Sequence, residues 1–169
     1  YRSQLAVSHS NLGVLLISTG KHQQAQEQYD KAIAIREKLV ADFPTQTEYF
    51  VYLANSNNNY GNLLDKLGKL DESVKRFRSS ITIKEKLFAD YPGVPEYASS
   101  LASNYNNLGI MLRRTGKDSE AVTVFRQSLA ISENLTQTFP YEPEFRQDLA
   151  TTCNSLASLL RELNKLDLA

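Results

Sequence analysis

Residues Leu53–Lys69 read LANSNNNYGNLLDKLGK, and this stretch decides the fold because the chain repeats it. It returns with substitutions as LAVSHSNLGVLLISTGK at 5–21, LASNYNNLGIMLRRTGK at 101–117 and LATTCNSLASLLRELNK at 149–165, each 48 residues from the next. The same step relates Phe43-Pro44, Tyr91-Pro92 and Phe139-Pro140, and it relates Glu48-Tyr49, Glu96-Tyr97 and Glu144-Phe145. A fixed period of this size marks stacked supersecondary units. Within the quoted stretch the apolar and small residues Leu53, Ala54, Tyr60, Gly61, Leu63, Leu64 and Leu67 keep helical spacing. A second helical pattern follows the glycine, in Val74, Phe77, Ile81, Leu87 and Phe88. Each unit therefore predicts a helical hairpin. Gly20, Gly68 and Gly116 supply the left-handed position after the first helix, and the proline after the second helix prevents its continuation. Pro95-Glu96 and Pro143-Glu144 open the next helix with a favourable first turn.

The expected fold class is all-α: a right-handed solenoid of antiparallel hairpins with about seven helices, each near 30 Å long at about 1.5 Å per residue. Repeat boundaries fall at about 1–43, 44–91 and 92–139, with a partial unit at 140–169 whose helix has a partner expected to begin near Leu166 and to be cut away after Ala169. The pattern is already under way at Tyr1, so a piece of a longer protein is expected. The 169 residues, 41% apolar with 19 basic and 19 acidic side chains, describe one soluble ordered domain. Balanced charge without a basic stripe argues against nucleic acid as partner, and no apolar run approaches the roughly 20 residues of a membrane span. The single cysteine, Cys153, cannot form an internal disulfide, which favours the cytoplasm; its repeat position predicts a buried, inert thiol. No phosphate loop, HExxH or paired cysteines occur, so neither a catalytic residue, a metal site nor a cofactor is expected.

His9-x2-Leu12-Gly13-x2-Leu16 followed by Ala25, Tyr29 and Ala32 resembles the tetratricopeptide repeat pattern, and the later units repeat it with Tyr60-Gly61, Phe77 and Leu108-Gly109, Phe125. The resemblance spans the chain. The usual repeat of that family is shorter and ends in a proline, where this chain has Glu37, Glu85 and Glu133. The excess divides into about two extra turns per helix, similar to the lengthened repeats of kinesin light chains and to arrays beside some bacterial serine/threonine kinase domains. The resemblance implies a non-catalytic module that binds a protein or extended peptide in a concave groove lined by the first helices. A structural scaffold, or a regulatory appendage of an enzyme domain elsewhere, is the alternative. Self-association through the C-terminal end is also expected.

Five asparagines stand among the eight residues 55–62, at a local cost of about 3 kcal/mol if each is about 0.6 kcal/mol poorer than alanine in a helix. By matching the motif, Asn11, Asn55, Asn58, Asn59, Asn62, Asn106, Asn107, Arg113, Arg114 and Asn154 face the groove, while Asn57 packs between helices. A primary amide offers donors and an acceptor together, so it can pair with both N–H and C=O of a peptide backbone. The column Asn11, Asn59, Asn107 resembles the asparagine ladder of the O-linked N-acetylglucosamine transferase repeats. The alternative is that these amides bond to neighbouring loops or stay solvated. Arg113-Arg114 is the only adjacent basic pair on these faces; it could favour an acidic ligand or remain solvated.

Overall fold

The computed structural model describes residues 1–167, and among them every regular element is a helix: α1 Arg2–Ser18, α2 His22–Asp42, α3 Thr47–Lys66, α4 Leu70–Asp90, α5 Pro95–Arg114, α6 Asp118–Thr138 and α7 Pro143–Asp167. The chain divides into two compact units, Tyr1–Ile83 and Lys84–Ala169, with the boundary inside α4. The fold class is the expected one, an all-α helical repeat.

Each hairpin turn is closed by the same chemistry. Gly20, Gly68 and Gly116 adopt φ of 73°, 72° and 73°, which a side chain would resist. That conformation lets Lys21 N–H reach Leu16 O, Lys69 N–H reach Leu64 O and Lys117 N–H reach Leu112 O, all at 2.9 Å. The glycine N–H meanwhile donates to Ile17, Asp65 or Arg113 O at 2.9–3.1 Å, so the last carbonyls of α1, α3 and α5 are satisfied. At the equivalent position of α7 stands Asn164, and the helix runs on to Asp167. The partner expected near Leu166 therefore does not begin there, because asparagine does not impose the left-handed turn that glycine provides; residues 168–169 lie outside the described residues.

In the first unit, Gly13 lets α1 approach α2 so closely that a Cβ would lie 3.0 Å from the Tyr29 ring, and Gly61 stands likewise against Phe77. Tyr29 stacks on Tyr60 with centroids 5.5 Å apart, and both join Ala25, Ile33, Leu53, Leu63 and Leu64 in one core. In the second unit Gly109 meets Phe125, and Ala98, Leu135 and Phe145 close the far end with Phe88 and Ile131 packed on them. Two of the buried serines bond to the partner helix: Ser80 and Ser128 donate to Ala54 O and Ala102 O, both at 2.8 Å. Between hairpins, the residue before proline packs its ring on the aromatic six positions later. Phe43–Tyr49, Tyr91–Tyr97 and Phe139–Phe145 have centroids 5.7, 6.0 and 5.7 Å apart in tilted or edge-on arrangement.

Cys153 is exposed, not buried as its repeat position suggested. Its equivalents Asn57 and Tyr105 are covered because neighbouring helices contribute partners, Arg76 to Asn57 and Glu85 to Tyr105. No element covers this face of α7 among the described residues.

Candidate functional site

The outward faces of the first helices carry the amides, and helical spacing explains how. Asn55, Asn58, Asn59 and Asn62 recur at intervals of three and four on α3, which places them on one side. Asn57 falls on the other side and is buried, donating to Leu53 O at 3.1 Å and accepting from Arg76 at 3.4 Å. In the first unit Asn11, Asn55, Asn59 and Asn62 are exposed, and none of these amides forms a hydrogen bond with another described residue. Asn58 is half-buried, and its Oδ1 is enclosed without a partner.

Beneath this side of each unit lies one buried cation. Arg36 of α2 donates to Ser10 Oγ at 2.9 Å and sits over the Tyr52 ring, 5.8 Å from its centroid. Lys84 of α4, 48 residues later, donates to Ser100 O at 3.3 Å, to Ser100 Oγ and to Asn104 Oδ1 at 3.2 Å. Burial disfavours the charged ammonium and pulls its pKa down to about 8. Both cations tie a second helix to first-helix polar groups. They are structural, not part of the exposed face.

The second unit brings α5 and α7 side by side. Ser99 Oγ donates to Asp148 Oδ2 at 3.0 Å near one end, and Arg113 donates to Ser158 Oγ at 3.3 Å and pairs with Glu162 near the other. Between them opens a polar cleft of about 150 Å³ lined by Ser103, Asn106, Asn107, Asp148, Thr151 and Thr152. It thus joins two of the expected site residues, Asn106 and Asn107. Asn106 is 7% exposed and its Oδ1 has no partner; Asn107 is half-buried. Arg114 and Asn154 are exposed and do not line the cleft. Sequence reasoning missed Asp148 and Thr152, which lie beside the expected face. The available signal was Asp148 itself, a carboxylate at the repeat position held by Tyr52 and Ser100. Among the described residues no group of three or more His, Cys, Asp or Glu side chains is placed to hold a metal, and no helix is long and apolar enough to cross a membrane.

Comparison with known proteins agrees with the geometry. One family model described as tetratricopeptide repeat matches residues 52–134, and a second of the same description matches residues 5–45. None of the curated proteins matches the chain. Among solved structures, a putative kinesin light chain from Podosopora anserina with nearly identical tetratricopeptide-like repeats is 18% identical, with a TM-score of 0.64 over 95% of this chain and 73% of that one. BtubC from P. vanneervenii is 19% identical with a TM-score of 0.62, covering 99% of this chain and 66% of that one. The N-terminal domain of stress-induced protein-1 from C. elegans is 19% identical with a TM-score of 0.56, covering 90% and 97%. At these identities the likeness is one of fold.

Proposed function

The chain belongs to the tetratricopeptide repeat family, and from that premise we propose that it binds an extended peptide or the extended segment of a partner protein along the amide-bearing faces of its first helices. Such repeats generally mediate protein–protein interaction. The observation that carries the finer reading is the state of Asn11, Asn55, Asn59 and Asn62: exposed, grouped by helical spacing, and without hydrogen bonds to the other described residues. Amides that held loops in place would be bonded. Left free on helices they disfavour, they are suited to a backbone that arrives from outside. On the second unit Asn154 is exposed as well, Asn107 is half-buried and Asn106 buried. Arg113 is already matched by Glu162, which weakens the case for an acidic ligand.

A displayed library of nine-residue peptides panned on the whole chain tests this reading, with selected peptides retested on Asn59→Ala and on Lys38→Ala, a substitution at an exposed site of a second helix. Affinity lost only with Asn59→Ala is the expected result. Loss with Lys38→Ala alone would place binding elsewhere.

A second reading, self-association, has an observation of its own. Leu5, Leu12 and Leu15 of α1 are exposed, whereas their equivalents Leu53, Tyr60 and Leu63 are buried. On α7, Leu160 is exposed while its equivalents Leu64 and Leu112 are enclosed. Apolar faces of this kind invite a further helical layer or a second copy.

A further inference from the structure

Four of the six residues that line the cleft between α5 and α7, Thr151, Thr152, Asp148 and Asn106, offer it acceptor oxygens, and the proton count shows why. Thr151 Oγ1 already donates to Gln147 O at 2.8 Å, so only its lone pairs are left for the cleft. Ser128 Oγ donates to Ala102 O at 2.8 Å, which uses its single proton. The contact between Ser128 Oγ and Thr152 Oγ1 at 3.0 Å must then be donated by Thr152, a lining residue whose oxygen keeps its lone pairs. Asp148 accepts from Ser99 through Oδ2, and its other oxygen takes no hydrogen bond from the described residues. Asn106 adds a carbonyl oxygen that is enclosed and unpartnered. Asp148 is the only charged residue among the described residues of the lining.

We propose that this cleft takes the cationic tip of a lysine or arginine side chain carried by the bound peptide, and so gives a sequence-tolerant backbone reader one position of choice. The assignment rests on the peptide-binding reading above. An ammonium or guanidinium group is a donor with no acceptor, the complement of these four oxygen-bearing residues, while Ser103 and the Asn106 and Asn107 amides keep protons of their own. The volume is that of about five waters at about 30 Å³ each, room for a side-chain tip and not for a folded partner. An apolar side chain would leave the Asp148 carboxylate with Ser99 as its donor and the Asn106 oxygen with none, which is the strongest basis for rejecting it.

Two measurements on the whole chain test the proposal. The first titrates n-butylguanidinium, n-butylammonium, 1-butanol and sodium chloride into labelled protein and follows amide resonances. The two cations should shift Ser103, Asn106 and Thr151 beyond the controls, and Asp148→Asn should weaken that response at least tenfold while its oxygen still accepts from Ser99. Cation shifts no larger than those from sodium chloride, or unchanged in Asp148→Asn, would overturn the pocket. The second compares nonapeptide pools with lysine, arginine, norleucine or glutamate fixed at the centre. The basic pools should bind at least tenfold tighter than norleucine, a difference lost in Asp148→Asn. If all pools bind alike and Asn59→Ala weakens them all, the pocket is refuted and peptide binding stands. If the small cations occupy the cleft and no pool binds, the assignment to a peptide side chain is overturned together with the peptide reading.

Discussion

Gly109 shows how much of this fold depends on the absence of one methyl group. A Cβ there would lie 2.6 Å from the Phe125 ring, which is itself 1% exposed and cannot swing aside, whereas at Gly61 the nearest Phe77 atom would be 3.2 Å away. Alanine gains about 1 kcal/mol of helix propensity at either site, while overpacking costs about 1–3 kcal/mol where the neighbour cannot yield. Gly109→Ala should therefore destabilise by about 1–2 kcal/mol in urea titration, and Gly61→Ala should stay within about 1 kcal/mol of the parent. A more stable Gly109→Ala would mean the helices can part freely. Lys84 supplies the pH dependence. Its ammonium is disfavoured in the folded state, with a pKa near 8 against the ordinary 10.5, so between those values the unfolded chain binds more protons. Stability should rise with pH across that window, by at most about 1.4 kcal/mol per unit. Above pH 10 the trend reverses, because burial beside Asp30 pushes the Tyr60 hydroxyl up to about 12. Thermal melts at pH 7.5 and 9.5 should show this rise for the parent and a flat response for Lys84→Met; equal slopes would exclude Lys84 as the source.

At the scale of elements, the turns between hairpins carry information that the repeat alone did not assemble. Phe43-Pro44 and Glu48-Tyr49 are legible as two separate periodic pairs, yet their rings form one contact that fixes how the chain enters the next helix. A double-mutant cycle on Tyr91 and Tyr97 should give a coupling of about 0.5–1.5 kcal/mol; a coupling indistinguishable from zero would make the ring contact incidental. Helix number, helix limits and the close glycine–aromatic crossings were readable because each depends on local chemistry repeated at a fixed step. The end of α7 was not. Asn164 permits a left-handed turn without requiring one, and the sequence pattern could not distinguish permission from requirement. Cys153 was misplaced for a related reason: the period assigns a position, but burial depends on which helices cover it.

Leu5, Leu12 and Leu15 of α1 and Leu160 of α7 are exposed, and the self-association reading predicts their effect in solution. Sedimentation should show association that grows with concentration and is suppressed by Leu12→Glu with Leu15→Lys, exposed sites where polar residues disturb the fold little. A strict monomer at high concentration would contradict it. The candidate site was legible only in part. Asn106 and Asn107 were expected from their repeat positions and line the cleft, Asn106 buried and Asn107 half-buried, while Asp148 and Thr152 enter through the packing of α5 on α7, which no periodicity encodes. The central claim is that the exposed asparagines serve a ligand and not the fold, and the two roles predict effects of opposite sign. Alanine is the better helix former, whereas each lost amide–backbone pair costs binding about 0.5–1.5 kcal/mol. The most direct measurement pairs a thermal melt with the affinity of a selected peptide for Asn59→Ala combined with Asn107→Ala. We predict an unchanged or higher melting temperature with affinity reduced about tenfold or more. A loss of about 2 kcal/mol in stability with affinity intact would contradict the account and return the asparagines to the architecture of the fold.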